Sequence, residues 1–149
     1  MYRRLLAFAL ALTGGAYSQT LSITHPTGGA FRSLAASTDR VLAANSKLFE
    51  VRSAALTELP GISASLAANG LAIATVKTSA DDSDIRITAI DSNKSINIGG
   101  RGNDIPTRAF ATRDAFYILG NTDSPDFPVT NATRARGSGF LLKLDAELN

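Results

Sequence analysis

Short apolar segments alternate with polar turns along most of the chain beyond residue 30. The apolar segments are rich in Val, Ile, Leu, Phe and Ala. The residues between them are mostly Ser, Thr, Asn, Asp and Gly, which favour turns. In the segment 84–91, alternation places Ile85, Ile87 and Ala89 on one face and Arg86 and Thr88 on the other. This period of two residues indicates half-buried strands, and many short strands between turns predict an all-β fold. The clearest strand predictions cover residues 40–45, 47–53, 71–76, 84–91, 115–120 and 140–145.

A paired-strand module occurs three times in the sequence. Its first half has an aliphatic or aromatic residue, then Ala, a polar turn and an apolar strand, at 33–45, 65–77 and 109–121. A second segment rich in strand-forming residues follows each of these, at 47–59, 84–96 and 139–148. The equivalent residues Leu34, Leu66 and Phe110 are 32 and 44 residues apart. Propeller blades of four strands repeat about every 40 to 50 residues. The repeat predicts about three four-stranded antiparallel propeller-type blades, and unrelated hairpins of a β-sandwich are the alternative.

The N-terminus has the three regions of a secretory signal peptide. Arg3 and Arg4 precede an apolar run from Leu5 to Leu12, and small residues follow, with cleavage predicted after Ser18. The run is shorter than the about 20 residues of a membrane-spanning helix. We therefore expect a cleaved signal peptide over 1–18, no stable membrane anchor, and a secreted or periplasmic partial β-propeller domain over 19–149. An N-terminal helix or a buried first strand is the alternative interpretation of the run.

Charge and cysteine content narrow the range of functions. The chain has 15 Lys and Arg against 13 Asp and Glu, for a net charge of +2. Removal of Arg3 and Arg4 with the signal peptide leaves equal numbers of basic and acidic residues, so we expect no nucleic-acid binding. Because the chain has no Cys, it has no disulfide, no thiol nucleophile and no thiolate metal site.

Residues 115–145 carry the most specific sequence pattern. The chain reads "FYILGNTDSPDFPVTN" and then "GSGFLLKLDAELN". This region resembles the repeat of the bacterial seven-bladed β-propeller repeat family (SBBP), in which an aromatic-aliphatic strand precedes a turn with Asp-Phe-Pro and a strand ending in Lys-Leu-Asp. The resemblance implies blades of a β-propeller, and the two earlier modules match it only in outline. The matching residues are Gly120, Thr122, Asp126, Phe127, Pro128 and Thr130 in the turn, and Phe140, Leu142, Lys143, Leu144 and Asp145 in the final strand.

The segment 120–128 predicts a stiff corner after a buried strand. Gly120 is expected to take a positive φ where the strand ends. The side chains of Asn121, Asp123 and Ser124 are expected to bond nearby backbone amides in Asx- and ST-type turns. Pro125 and Pro128 restrict the backbone and hold Phe127 where its ring can fill the gap between adjacent sheets. Burial of such a ring is worth about 1.5–3 kcal/mol.

The blade count bears on function, because a closed propeller typically needs about four to eight blades. We expect a fragment of a longer protein, self-association through open blade edges, or an incomplete propeller. The predicted function is a secreted, non-catalytic binding or scaffolding module for an unknown protein or carbohydrate ligand. Two alternatives remain. One is the N-terminal part of a larger propeller hydrolase or lyase whose catalytic residues lie outside this chain. The other is a standalone β-sandwich adhesin.

No catalytic motif is recognisable in the sequence. The single histidine, His25, lies near the N-terminus before a proline, and nothing brings Ser and Asp partners near it. We expect His25 to be solvated. No G-x-S-x-G, P-loop or H-E-x-x-H motif is present. We therefore predict no catalytic or cofactor-binding residues and no cofactor, and an activity is less expected than a binding role.

Two Asp-rich turns place oxygen atoms close together, as calcium sites do. Neither turn fits the EF-hand loop, so we expect solvated carboxylates and predict no metal site. Between them, the glycine-rich segment 99–104 is not followed by a helical pattern, and we interpret it as an inter-blade loop rather than a phosphate site. The oxygen-bearing residues are Asp81, Asp82 and Asp84 in the first turn and Asn121, Asp123 and Asp126 in the second.

Overall fold

A computed structural model describes residues 7–10, 19–22, 31–36, 40–52, 55–128 and 138–149, with the backbone alone given at 7–10, 19–22, 52 and 55. The described residues form β-strands and turns without a helix, which confirms the all-β prediction. The strands are β1 (Ala7–Leu10), β2 (Gln19–Ser22), β3 (Ser33–Ala36), β4 (Val41–Ala44), β5 (Ser46–Arg52), β6 (Ala55–Ala64), β7 (Leu66–Ala68), β8 (Leu71–Lys77), β9 (Ser83–Ala89), β10 (Lys94–Ile98), β11 (Asp104–Ala111), β12 (Phe116–Thr122) and β13 (Ser138–Leu144).

Each sheet is built from a continuous stretch of chain, because strands that follow each other in sequence pair antiparallel. The first sheet has the order β3–β4–β5–β6, the second β7–β8–β9–β10 and the third β11–β12–β13, and β1 pairs with β2 in a separate hairpin. The first hairpins of the three sheets are β3–β4, β7–β8 and β11–β12. They coincide with the first half of the sequence module, so this half is confirmed in all three places.

The six clearest strand predictions are all confirmed, as β4, β5, β8, β9, β12 and β13. The alternation predicted for β9 is correct for one face, where Ile85 and Ile87 are fully buried, and for Arg86, which is exposed. Thr88 is buried rather than exposed. It pairs with Ala72 on β8, and its hydroxyl shares a 2.9 Å hydrogen bond with Ser95. Both faces of this sheet are therefore covered near Thr88.

The third sheet has three strands among the described residues, where four are predicted for each blade. After β13 the chain turns back instead of extending along the sheet. Asp145 accepts a hydrogen bond from the backbone N–H of Asn149 at 2.8 Å, and Leu148 has a φ of 64°. Leu148 is buried in the core, and Lys94 of β10 donates to the carbonyl of Glu147. The C-terminal turn thus ties the third sheet to the second.

The first and second sheets pack through small side chains. Ala67 and Ala72 of the second sheet lie in one cluster with Leu42 and Leu48 of the first. A methyl group occupies little depth, so the two backbones can approach closely. A polar tie lies beside this interface, since Arg40 bonds the buried Glu50 at 3.1 Å and the exposed Asp91 at 2.8 Å.

The second and third sheets pack through large side chains. Leu71, Ile73, Ile85 and Ile87 project from the opposite face of the second sheet and share a cluster with residues of the third. Alternation along β8 explains the contrast, because Leu71 and Ile73 point one way and Ala72 the other. The residues on the third-sheet side of this cluster are Ile118, Phe127, Phe140, Leu142, Leu144 and Leu148.

Phe127 belongs to the cluster between these two sheets, as the sequence pattern predicts. Its ring is 8% exposed and stacks on Phe140 with centroids 4.7 Å apart. The prediction that Gly120 takes a positive φ at the end of the strand is wrong, because Gly120 lies inside β12 and has no positive φ. A Cβ there would overlap the ring of Phe140 and the carbonyl oxygen of Ile105. Glycine at 120 therefore makes room for the Phe140 ring.

Candidate functional site

Three polar stretches that are separate in sequence meet at one edge of the second and third sheets. The loop 99–103 lies between the turn before β9 and the turn after β12. Ser83 donates its backbone N–H to the carbonyl of Gly102 at 3.1 Å, and Asp123 donates to that of Asn103 at 3.1 Å. Both Asp-rich turns of the sequence analysis thus contact the glycine-rich loop. We call this region the aspartate junction and define it as loop 99–103 with Asp82, Asp84, Asp104, Asp123, Ser124 and Asp126.

Carboxylates of the junction accept hydrogen bonds from the loop backbone. Gly102 donates to Asp82 Oδ1 at 3.3 Å and Arg101 to Asp126 Oδ1 at 2.7 Å, and Asn103 donates to Asp123. The Arg101 side chain adds a 3.0 Å ion pair with Asp126 Oδ2. Asp123 thus accepts its bond from the loop, rather than from a nearby amide in the local Asx turn that we predict. The local bond of this corner instead runs from the Ser124 N–H to Thr122 Oγ1, at 3.0 Å.

Close approach explains the glycines in this loop. A Cβ at Gly100 would lie 2.6 Å from Asp126 Oδ1 and 2.8 Å from the Ser124 Cβ. A Cβ at Gly99 would overlap the Asp84 carboxylate and lie 2.9 Å from Asp104 Oδ2. The segment predicted as a loop, 99–104, is a loop between the second and third sheets over 99–103, and Asp104 begins β11. The glycines let carboxylates reach the loop backbone.

Asp104 is the most buried polar residue of the junction, with 0% exposure. Its Oδ2 accepts bonds from the Gly100 N–H at 2.8 Å and from Ser124 Oγ at 3.0 Å. Its Oδ1 is buried and has no hydrogen-bond partner. An unmatched buried carboxylate oxygen costs stability, and Asp104 Oδ1 is the one such side-chain atom among the described residues.

Asp84 and Asp126 have pKa values shifted in opposite directions. Burial raises the pKa of Asp84 above 3.8, and the neighbouring charges of Asp82 and Asp104 raise it further. Hydrogen bonds from the Arg101 backbone and side chain lower the pKa of Asp126. The junction therefore holds one carboxyl that resists ionisation and one that is stabilised as an anion.

The junction has the composition of a cation site but not its geometry. No group of three or more His, Cys, Asp or Glu side chains in the described ranges is arranged to hold a metal ion. The two turns considered for calcium are brought together through the loop, yet several of their oxygens are already bonded to backbone amides. Chemically, the arrangement ties two sheets together and concentrates negative charge.

A second surface with functional potential is the face of the third sheet that points away from the second. Its residues form three cross-strand rows, and we call it the outer face. It contains large apolar side chains and two cations but no carboxylate. Phe110 and Tyr117 stack at 4.9 Å, Leu119 is 38% exposed and Leu141 is 59% exposed. The rows are Ile105–Asn121–Gly139, Arg108–Leu119–Leu141 and Phe110–Tyr117–Lys143.

Some predictions fall outside the described residues. His25 and residues 129–137, which include Thr130 of the resemblance, are among them. The signal peptide over 1–18 stays a prediction, since only the backbone of β1 is described there. Within the parts of the chain that are described, no helix is long and apolar enough to cross a membrane.

Comparisons with known proteins identify no relative. Searches against protein-family models, curated protein sequences and solved structures each gave no match. Functional inference for this chain therefore rests on its own residues and geometry.

Sequence reasoning missed two parts of these surfaces. Asp104 follows Asn103 in a polar segment and has no local mark of a buried residue. The outer face is visible only after the pairing register is known, because the bulge between Pro106 and Arg108 shifts the alternation along β11. A signal for the outer face was present in β13, where Gly139, Leu141 and Lys143 alternate with the buried Phe140 and Leu142.

Proposed function

We propose that this chain is a secreted, non-catalytic β-propeller-repeat module that binds or scaffolds a protein or carbohydrate ligand. The observation that carries the proposal is the succession of sheets. The first strands, β3, β7 and β11, neighbour each other in that order, and each sheet continues with antiparallel strands. A radial set of blades has this construction, in which the first strand of every blade lies nearest the axis.

The packing between sheets supports the same proposal. Each neighbouring pair buries apolar side chains face to face, and the second sheet is covered on both faces. A two-layer sandwich would bury one face of each sheet and leave the other to solvent. The resemblance of 115–145 to the SBBP repeat agrees with a blade in the position of the third sheet.

A binding role is favoured over catalysis by the nature of the exposed groups. The stacked rings of Phe110 and Tyr117 lie near Arg108 and Lys143 on the outer face. An aromatic surface with a few polar groups suits recognition of a sugar ring or an apolar protein segment. The described residues bring one hydroxyl and one carboxylate together, Ser124 Oγ and Asp104 Oδ2 at 3.0 Å, but both residues are buried and not open to a substrate. The carboxylates of Asp82, Asp123 and Asp126 bond the loop beside them.

The test is a binding screen with an activity screen beside it. The full chain would be applied to arrays of polysaccharides and glycans, and the same preparation assayed against chromogenic substrates of hydrolases and lyases. We expect saturable binding of at least one glycan class, weakened at least tenfold in the double variant Phe110→Ala, Tyr117→Ala, with no turnover. Turnover of a substrate would favour the enzyme alternative, and the absence of any bound glycan would remove the carbohydrate part of the proposal.

A further inference from the structure

The three sheets differ in how well their outermost strands are protected against pairing with another chain. An edge strand presents unpaired N–H and C=O groups and is usually shielded by proline, charge, shortness or a bulge. In the first sheet, β6 contains Pro60, a register shift opposite Lys47 and Leu48, and the Lys47–Glu58 ion pair at 2.8 Å. In the second sheet, β10 is short and polar, with the sequence KSINI.

β13, the edge of the third sheet, has only one of these protections, a single lysine. It is seven residues long, contains no proline, and pairs with β12 without a register shift. Lys143 is its one charged residue. Within the part of the chain that the structure describes, no strand pairs with the other side of β13. Leu141 at its centre is 59% exposed, the largest exposed fraction among the large apolar residues described.

We infer that β13 pairs antiparallel with β13 of a second copy of this chain, forming a twofold dimer with a continuous six-stranded sheet. The sequence of β13 suits this pairing. If Ser138–Leu144 of one copy pairs along its whole length with the same strand of the second copy, Leu141 lies opposite Leu141. Residues directly opposite each other then share a face, so Phe140 lies opposite Leu142 and apolar side chains stay on the buried side.

Charge favours the same register. Gly139 lies opposite Lys143 of the second copy, and the two Lys143 side chains are at opposite ends of the pair. No like charges face each other. If the twofold axis instead passed beside Leu142, Leu141 would lie opposite Lys143 and fewer residues of the two strands would pair. The centre at Leu141 thus joins the apolar rows of the two outer faces and keeps both cations apart.

The dimer also suits the outer face. Leu141 of each copy continues the row Arg108–Leu119–Leu141 into the other copy, so apolar surface that is exposed in one chain becomes partly covered in two. One strand pair buries less than the roughly 1,000 Å² expected of a stable interface. We therefore expect a weak dimer that depends on protein concentration. It does not depend on the propeller proposal, since it needs only the third sheet.

The test is sedimentation equilibrium of the full chain over a wide concentration range, with thermal unfolding to verify that each variant is folded. We expect a monomer–dimer equilibrium for the natural sequence. Leu141→Lys, which places two cations opposite each other, should abolish it. Leu34→Lys is the matched control, because Leu34 is similarly exposed but lies on β3; it should dimerise like the natural chain.

Substitutions at Gly139 test the register itself. Gly139 has no positive φ, and a Cβ there would meet its nearest neighbour at an ordinary 3.8 Å, so a side chain is tolerated. Gly139→Glu gains two ion pairs with Lys143 and should lower the dimer dissociation constant by about 2- to 30-fold, while Gly139→Lys should raise it by a similar factor. A monomer at all concentrations, dimerisation that survives Leu141→Lys, or equal effects of the two Gly139 variants would each overturn the inference.

Discussion

The two interfaces of the second sheet are built from opposite sides of the same strands, yet they are unlike. Towards the first sheet, the second sheet presents Ala67 and Ala72, whereas towards the third it presents Leu71, Ile73, Ile85 and Ile87. The alanine interface allows close approach but removes little apolar surface from water. The isoleucine interface removes much more and is completed by the rings of Phe127 and Phe140. Stability should therefore be concentrated between the second and third sheets.

Removal of the Phe127 ring should have the largest effect. Phe127→Ala leaves a cavity beside Phe140 and should lower the free energy of unfolding by about 3–5 kcal/mol. Chemical denaturation of the full chain measures this. Phe110→Ala is the control, because its ring is also stacked but lies on the exposed outer face, and it should cost no more than about 1.5 kcal/mol. Equal losses in both variants would show that Phe127 does not fill the space between the sheets.

Adjacent positions on β8 compare the two interfaces directly. Ala72→Val adds bulk where backbones are close and should destabilise by about 1–3 kcal/mol through overpacking. Ile73→Val removes one methylene from the other face and should cost about 0.5–1.5 kcal/mol. Unfolding in denaturant gives both values. If Ala72→Val stabilises the chain, the first interface contains unfilled space and the comparison drawn above is wrong.

Substitutions in the aspartate junction should have the smallest effect on stability, and this effect should depend on pH. Because the pKa of Asp84 is raised in the folded chain, its ionisation opposes folding. The protonated Asp84 carboxyl favours the folded state below about pH 3.8, and this contribution to stability is lost as the pH rises through the pKa of Asp84 in the folded chain. Asp84→Asn should therefore raise the melting temperature at pH 7 and leave it nearly unchanged at pH 3.

Asp126 gives the opposite control for this pH dependence. Its pKa is lowered in the folded chain, so it favours folding above its ordinary value of 3.8 and that contribution is lost as pH falls through the folded pKa. Asp126→Asn should lower the melting temperature at pH 7 and have little effect in acid. Melting curves of both variants at the two pH values measure the difference. Shifts of the same sign at pH 7 would contradict the assigned environments.

The sequence predicts the long apolar strands better than the short or polar ones. Strands β8, β9, β12 and β13 contain enough Val, Ile, Leu and Phe in alternation to be recognised, and the Phe-Pro corner indicates a buried ring. By contrast, β7 has only three residues and β10 is polar, so neither has a clear pattern of its own. They are strands because the neighbouring β8 and β9 offer them partners.

The aspartate junction could be predicted only in parts. Both acidic turns and the glycine-rich loop are evident from the sequence, but their meeting depends on how the second and third sheets pack. Asp82 and Gly102 are 20 residues apart, as are Asp104 and Ser124. The conformational preferences of neighbouring residues do not predict contacts between residues so far apart in sequence. The role of Gly120 was missed for the same reason, since Phe140 reaches it from another strand.

Methyl and aromatic NOE spectroscopy of the full chain measures the order of the three sheets. With the second sheet between the other two, Ala67 and Ala72 methyl groups should show NOEs to Leu42 and Leu48, and Ile73 and Ile87 methyl groups should show NOEs to the rings of Phe127 and Phe140. NOEs from Leu48 to the Phe140 ring, with Ile73 exposed to solvent, would contradict the account.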